Sequence, residues 1–414
     1  MNSLKQKVKF FLEGGIDKVY SGTDFYVDPL DGDDDASGNS YCPLKTLQEV
    51  ADRMHRKTIV GEVNIFLRSS TTESVYLFAD LPYLTFVNII GERTRLAGGV
   101  ITGFSNFNPV TKQECTLTDS NFSEDFASYE DMLIVLESGP HQGAAAFIHK
   151  GAFNSTTVSP FYKKNPSSVI VPSVGDKYCI YSLPEINGRV MGSSEIGFVS
   201  LENLKVVGVD DYVDPIEWKG GSICARYCHI VGGDNHIFVE QGADGYFFGC
   251  LLAAHVRAYN AGRIYLGACL IDGNSTSPTA DGAGSEVVVL MPCVAHGINN
   301  HLGARNRGMV RIDTNGSYFV VGQNYGLVAS SETFVELRGK LFGRDIQTCG
   351  VVIGSGAAVH YAINCVPDLV KDPQTGTMPT KQVDVGGITK NYSDFTSAAG
   401  CINQNNLSRM IPLY

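Results

Sequence analysis

Six short apolar segments recur between residues 201 and 322, each closing on a similar phrase: LKVVG at 204–208, CHIVG at 228–232, CLLAA at 250–254, CLIDG at 269–273, CVAHG at 293–297 and YFVVG at 318–322. Their first positions step by 24, 22, 19, 24 and 25 residues. No helical bundle or simple hairpin array yields that spacing, whereas a solenoid with one β-rich phrase per coil does, because stacked coils bury their inward side chains against one another. Like then stacks on like, so Cys228, Cys250, Cys269 and Cys293 are expected to form a ladder down the interior. Metal sites gather cysteines in closely spaced pairs, but these four lie one per coil and only Cys224 and Cys228 are close. Coils about 4.8 Å apart would admit a disulfide, yet a free cysteine is also a good small buried residue. Packing is the reading taken.

The totals agree with a turn-rich β protein. Among 414 residues there are 45 glycines, 10% aromatic residues and only 18% charged ones, and every coil needs corners in which glycine is favoured. A net charge of −11 argues against nucleic acid as the main partner, since phosphate binding calls for a basic stripe. Eleven cysteines without a paired framework suit a reducing compartment. No signal peptide is expected, because the apolar run at 10–12 is short and Glu13 interrupts it. No run of 18 apolar residues is present, so no membrane span is expected.

Taken in order, residues 1–22 read as an amphipathic helical arm with Leu4, Val8, Phe11 and Leu12 on one side, too short to bury that side alone. Residues 23–62 read as a strand, an acidic glycine-rich loop and a helix turning Leu47, Val50, Ala51 and Met54 inward, a plug for the open end of a solenoid. The loop at 31–35 has hard oxygen ligands of the kind calcium prefers, but it lacks the EF-hand pattern and reads as a solvated turn. The first coils follow at 63–103. Residues 104–196 break the rhythm, with irregular strands at 132–136, 144–148, 168–171 and 177–181, and read as a β-rich insertion or as wide coils. Regular coils resume over 197–364, and 365–414 closes the second end.

Residues Tyr26, Val27 and Pro29, then Gly32, Asp33 and Asp34, then Gly38, and finally PLKTLQEV at 43–50 resemble the opening segment of the pectin-lyase-like right-handed β-helix superfamily, in particular bacteriophage tailspikes. The likeness is specific over residues 25–54, and the coil period extends it to about residue 364. It implies a right-handed parallel β-helix and often a homotrimer. Such folds serve lyases, hydrolases and inert spikes, so no reaction is implied.

Glycosidic cleavage needs two carboxylates about 5–10 Å apart, and residues one coil apart are neighbours. Asp210 and Asp234 lie 24 residues apart, one coil, with Glu240 nearby; these are the candidate catalytic carboxylates, although Asp beside Gly is also ordinary turn chemistry. Polygalacturonase-like enzymes resemble one another in four short motifs. Here they survive only as Asp210 with Asp211, an altered Ala295-His296-Gly297 and an altered Arg311-Ile312-Asp313. His229, His236, His255, His296 and His301 are scattered and read as hydrogen-bonded surface residues. Trp218 beside Glu217 is the candidate carbohydrate-binding pair; equally, the indole suits a protein contact. No metal and no cofactor are expected.

Two functions of different class follow. One is a structural spike or baseplate-type virion protein of a bacteriophage, trimeric, joined to other tail or baseplate proteins through residues 1–22, assembled in the host cytoplasm and contacting the host surface. The other is a tailspike depolymerase that cleaves bacterial surface polysaccharide.

Overall fold

The computed structural model describes residues 19–413 with breaks, the longer of which are 76–84, 107–113, 193–197, 209–213, 363–382 and 391–401. Of the arm expected over residues 1–22, positions 1–18 lie outside the described residues, and 19–22 open the first strand, Val19–Val27. That strand begins a ladder in which each coil adds one parallel strand, from Thr58–Leu67 and Thr85–Gly91 through Phe198–Glu202 and Ser222–Arg226 to Ala358–Ala362. A second extensive sheet, also parallel over its coils, wraps the other faces. The chain is thus a right-handed parallel β-helix, the hand that parallel crossovers adopt almost without exception.

Strand alternation decides what lies inside. Along the first ladder Ile65, Ile89, Leu201, Ala225, Phe247, Leu266, Val289, Ile312 and Leu337 stand one above another, and none is more than 1% exposed. Each Leu, Ile, Val or Phe side chain among them contributes about 1.5–3 kcal/mol by leaving water, and small Ala225 beneath large Phe247 keeps the column filled. The cysteine ladder stands beside it, at the corner that follows the strand end, two residues past it at Cys228, Cys250 and Cys269. Cys228, Cys250, Cys269 and Cys293 are free and fully buried, with their thiols on backbone carbonyls such as Phe247 O, 3.3 Å from Cys269 Sγ. Burial pushes the Cys250 and Cys293 thiols well above the usual range, which leaves them unreactive masonry. In four successive coils one corner is made by a left-handed residue just before the ladder position, at Asn203, Tyr227, Gly249 and Ala268.

The N-terminal end is closed by the helix Leu47–His55, whose buried residues Leu47, Val50, Ala51 and Met54 are the inward set expected. Thr46 caps it, accepting from Glu49 N at 3.1 Å. In the acidic loop Asp34 Oδ1 accepts from Lys45 N and Thr46 N at the start of the helix, and Asp33 Oδ1 from Asp35 N in a local turn.

Residues 94–182 leave the shaft as an antiparallel unit. Its strands run in the order Thr94–Val100, Lys177–Ser182, Leu133–Leu136, Ala145–Ala152, Ser155–Val158, Cys115–Thr118 and Gly103–Ser105. Its antiparallel pairing sets it apart from the parallel coils of the shaft. One face encloses its own core around Phe126, Ile134, Phe161 and Tyr178. The other brings Leu133, Val135, Ala145, Phe147 and Tyr162 onto an apolar stripe of the shaft formed by Leu251, Leu270, Val294 and Phe319. No helix among the described residues is long and apolar enough to cross a membrane.

Candidate functional site

The strands Ile216–Lys219 and His229–Glu240 pair Glu217 with Phe238, Trp218 with Val239 and Lys219 with Glu240. Alternation sends Glu217 and Lys219 outward, and the residue between them must point inward. Trp218 is accordingly 1% exposed and packed in the shaft core. Its ring is closed off from solvent and cannot stack on a sugar, which corrects the role expected from sequence. Room for it comes from Gly192 on the preceding coil, where a Cβ would meet the indole at 2.5 Å.

Outside, three columns continue over consecutive coils. One runs Glu217, Phe238, Arg257 and Thr279; another Lys219, Glu240, Tyr259 and Asp281; a third begins with His236 and His255. The Arg257 guanidinium lies 5.5 Å from the Phe238 ring and 5.0 Å from the Tyr259 ring, and pairs with Asp281. Phe238, Arg257 and Tyr259 are all partly exposed. Lys219 Nζ sits 2.6 Å from Glu217 Oε1 and 3.2 Å from Glu240 Oε1, and these contacts, that to Glu217 first, hold the ammonium above the usual lysine range. Arg189 also pairs with Glu217, at 3.0 Å. Asp214 accepts from His236 N at 2.6 Å. Burial works to raise the Asp214 carboxyl, but the bonds from His236 outweigh it and lower the group.

Glu240, a candidate catalytic carboxylate, and Glu217, a candidate carbohydrate contact, therefore meet across one lysine. Asp210 lies outside the described residues. Asp234 falls in the strand His229–Glu240 where the register shifts between Val231 and His236, and its side chain is outside the described set.

A second cluster lies where the insertion meets the shaft, and sequence reasoning missed it. Glu114 and His149 come from the insertion; Asp272 and His296 hold matching positions on consecutive coils. Glu114 Oε1 is 2.7 Å from His296 Nε2 and 4.0 Å from His149 Nδ1. On its other side His149 Nε2 lies 3.4 Å from Asp272 Oδ2. The two imidazoles stack at 3.9 Å between centroids. The His149 and His296 side chains are 5% and 9% exposed, yet neither His149 Nδ1 nor His296 Nε2 makes an aligned hydrogen bond among the described residues. Burial lowers the His296 pKa despite Glu114 beside it. Burial would raise Asp272, but His149 outweighs it and the carboxyl titrates below its usual range. His149 occupies a β-bulge, the residue skipped between the pairs Ile148↔Val158 and Lys150↔Thr157, a device that re-aims a side chain. His296, read from sequence as an exposed coil-edge residue, is buried here because the insertion covers it.

No protein-family model matches the sequence, and no curated protein matches it. Among solved structures the chain is similar to XylC in complex with xylose, at 10% identity and a TM-score of 0.30, covering 84% of this chain and 71% of that one. It is similar to a glycoside hydrolase at 10% identity and a TM-score of 0.29, covering 82% and 92%. It is also similar to the Gp54 tailspike of Acinetobacter baumannii bacteriophage AP22 in complex with A. baumannii capsular saccharide, at 8% identity and a TM-score of 0.23, covering 86% and 70%. Scores this low transfer neither family nor activity.

Proposed function

We propose that this chain is a tailspike-like virion protein of a bacteriophage: a trimeric β-helix, attached to other tail or baseplate proteins through residues 1–22, that holds bacterial surface polysaccharide without cutting it. The opening motif at residues 26–50 and the capped parallel shaft support the spike reading. The observation that carries the saccharide contact is the outward cluster of Phe238, Arg257 and Tyr259 on two adjacent columns, a guanidinium beside two rings that meet edge-on, with Glu217 and Glu240 next to it. Aromatic faces take the apolar side of a sugar ring and the charged groups bond its hydroxyls. Lys219 argues for holding over hydrolysis at this spot, because its ammonium fills the space between Glu217 and Glu240 where a scissile bond would have to lie.

The alternative is a depolymerase using Asp210 and Asp234 as its carboxylate pair, with Glu240 nearby. Purified protein incubated with capsular and lipopolysaccharide preparations separates the two. Saturable binding without new reducing ends or unsaturated products is expected, and Arg257→Ala or Phe238→Ala should weaken it by about tenfold or more, about 1.4 kcal/mol, with melting temperature unchanged. Cleavage lost in Asp210→Ala or Asp234→Ala would establish the depolymerase instead.

A further inference from the structure

We propose that Glu114, His149 and His296 form a binding site for a divalent first-row transition ion, Zn2+ by preference, and that the ion clips the insertion to the shaft. The three donor atoms all lie within 4.8 Å of one another. A tetrahedral ion bonded at about 2.0–2.2 Å holds neighbouring ligand atoms roughly 3.3 Å apart, a spacing that the observed 2.7 and 4.0 Å contacts straddle. The donor set is two imidazoles and one carboxylate, which suits zinc and its neighbours and not calcium or magnesium, whose sites are built from oxygen.

Two further observations point to a ligand between these groups. First, both imidazole nitrogens that face Glu114 belong to side chains more than nine-tenths buried, and neither has an aligned hydrogen-bond partner among the described residues. A buried polar atom left in that state is costly, and a cation bound to both nitrogens removes the cost. Second, the remaining nitrogen of His149 faces the Asp272 carboxylate at 3.4 Å. A carboxylate behind a ligating imidazole fixes its tautomer and strengthens it as a donor. Asp272 therefore acts as the positioning residue, and the fourth coordination place is left to water.

The location gives the ion its role. Glu114 precedes the strand Cys115–Thr118 and His149 sits at the bulge in Ala145–Ala152, both in the insertion. His296 ends the strand Cys293–His296 of the shaft. An ion there joins two units otherwise held at this edge by apolar contact and charge.

The test uses the full chain purified without a polyhistidine tag, stripped with chelator and dialysed metal-free. Titration with Zn2+ by calorimetry should show one equivalent bound per chain with a dissociation constant of micromolar or below, and a melting temperature raised by several degrees. Co2+ should give the visible absorption of a tetrahedral site, while Ca2+ and Mg2+ should do neither. His149→Gln and His296→Gln should each abolish saturable binding while circular dichroism stays that of the native chain. Asp272→Asn should weaken binding by about 10–100-fold. Absence of stoichiometric Zn2+ binding to the natural sequence would overturn the proposal, and so would binding that survives in the double variant His149→Gln, His296→Gln.

Discussion

Gly192 and Trp218 are in register one coil apart, and the indole occupies the volume a side chain at 192 would need. Gly192→Ala would place a Cβ 2.5 Å from the ring, far inside any real contact, so a loss of about 1–3 kcal/mol is expected from overpacking, read by chemical denaturation. Trp218→Phe forfeits no hydrogen bond, since the indole Nε1 has no partner among the described residues, so its cost should be that of the vacated volume alone. The facing of Trp218 was legible in the sequence and went unused: with charged Glu217 and Lys219 on either side, period-two alternation leaves it only the interior. The cysteine ladder was read correctly for the same kind of reason, because a position repeated once per coil must be either all inside or all outside.

The insertion is held to the shaft by an apolar seam, and the His229 imidazole is buried in it. His229 is 7% exposed, its ring 6.2 Å from that of Phe147, and burial, aided by Lys205, drops its pKa to about 3. Unfolded, the same imidazole titrates near 6.5. Its neutral form is thus favoured in the fold: stability is complete above about pH 6.5 and falls as pH drops towards 3, by up to about 1.4 kcal/mol per unit. Melting temperature against pH should be steep over that window and visibly flatter in His229→Leu; equal slopes would show that the seam does not depend on this group. The existence of a covered face was half legible, since Leu251, Leu270, Val294 and Phe319 put apolar residues at the outward second position of successive phrases. What covers it was not. The antiparallel register and the bulge at His149 depend on pairings between distant segments, and no period announces them. The same limit hid Glu114 and His149, whereas Asp272 and His296 stood at matching places in consecutive phrases.

At the level of the whole molecule, the proposed trimer requires a surface that three copies share. The outer side of the first ladder exposes Phe86 at 50%, its ring 5.7 Å from that of Phe198, with Leu96 at 44% nearby in sequence. Sedimentation at micromolar concentration should give three times the chain mass, and Phe86→Glu should shift it towards a single chain; a stable monomer for the natural sequence would contradict the trimer. The parallel shaft itself was legible from spacing alone, because 19 to 25 residues per step admit few other solutions. One of its features bears on how it is made. The strand Thr85–Gly91 pairs directly with Phe198–Glu202, so during synthesis the early coils wait, with an open edge, until the ribosome has delivered everything between. The intervening unit pairs antiparallel largely within itself, and can take shape during that wait. Its ends are thereby drawn together, and the next coil is handed to its template by a piece that has already folded.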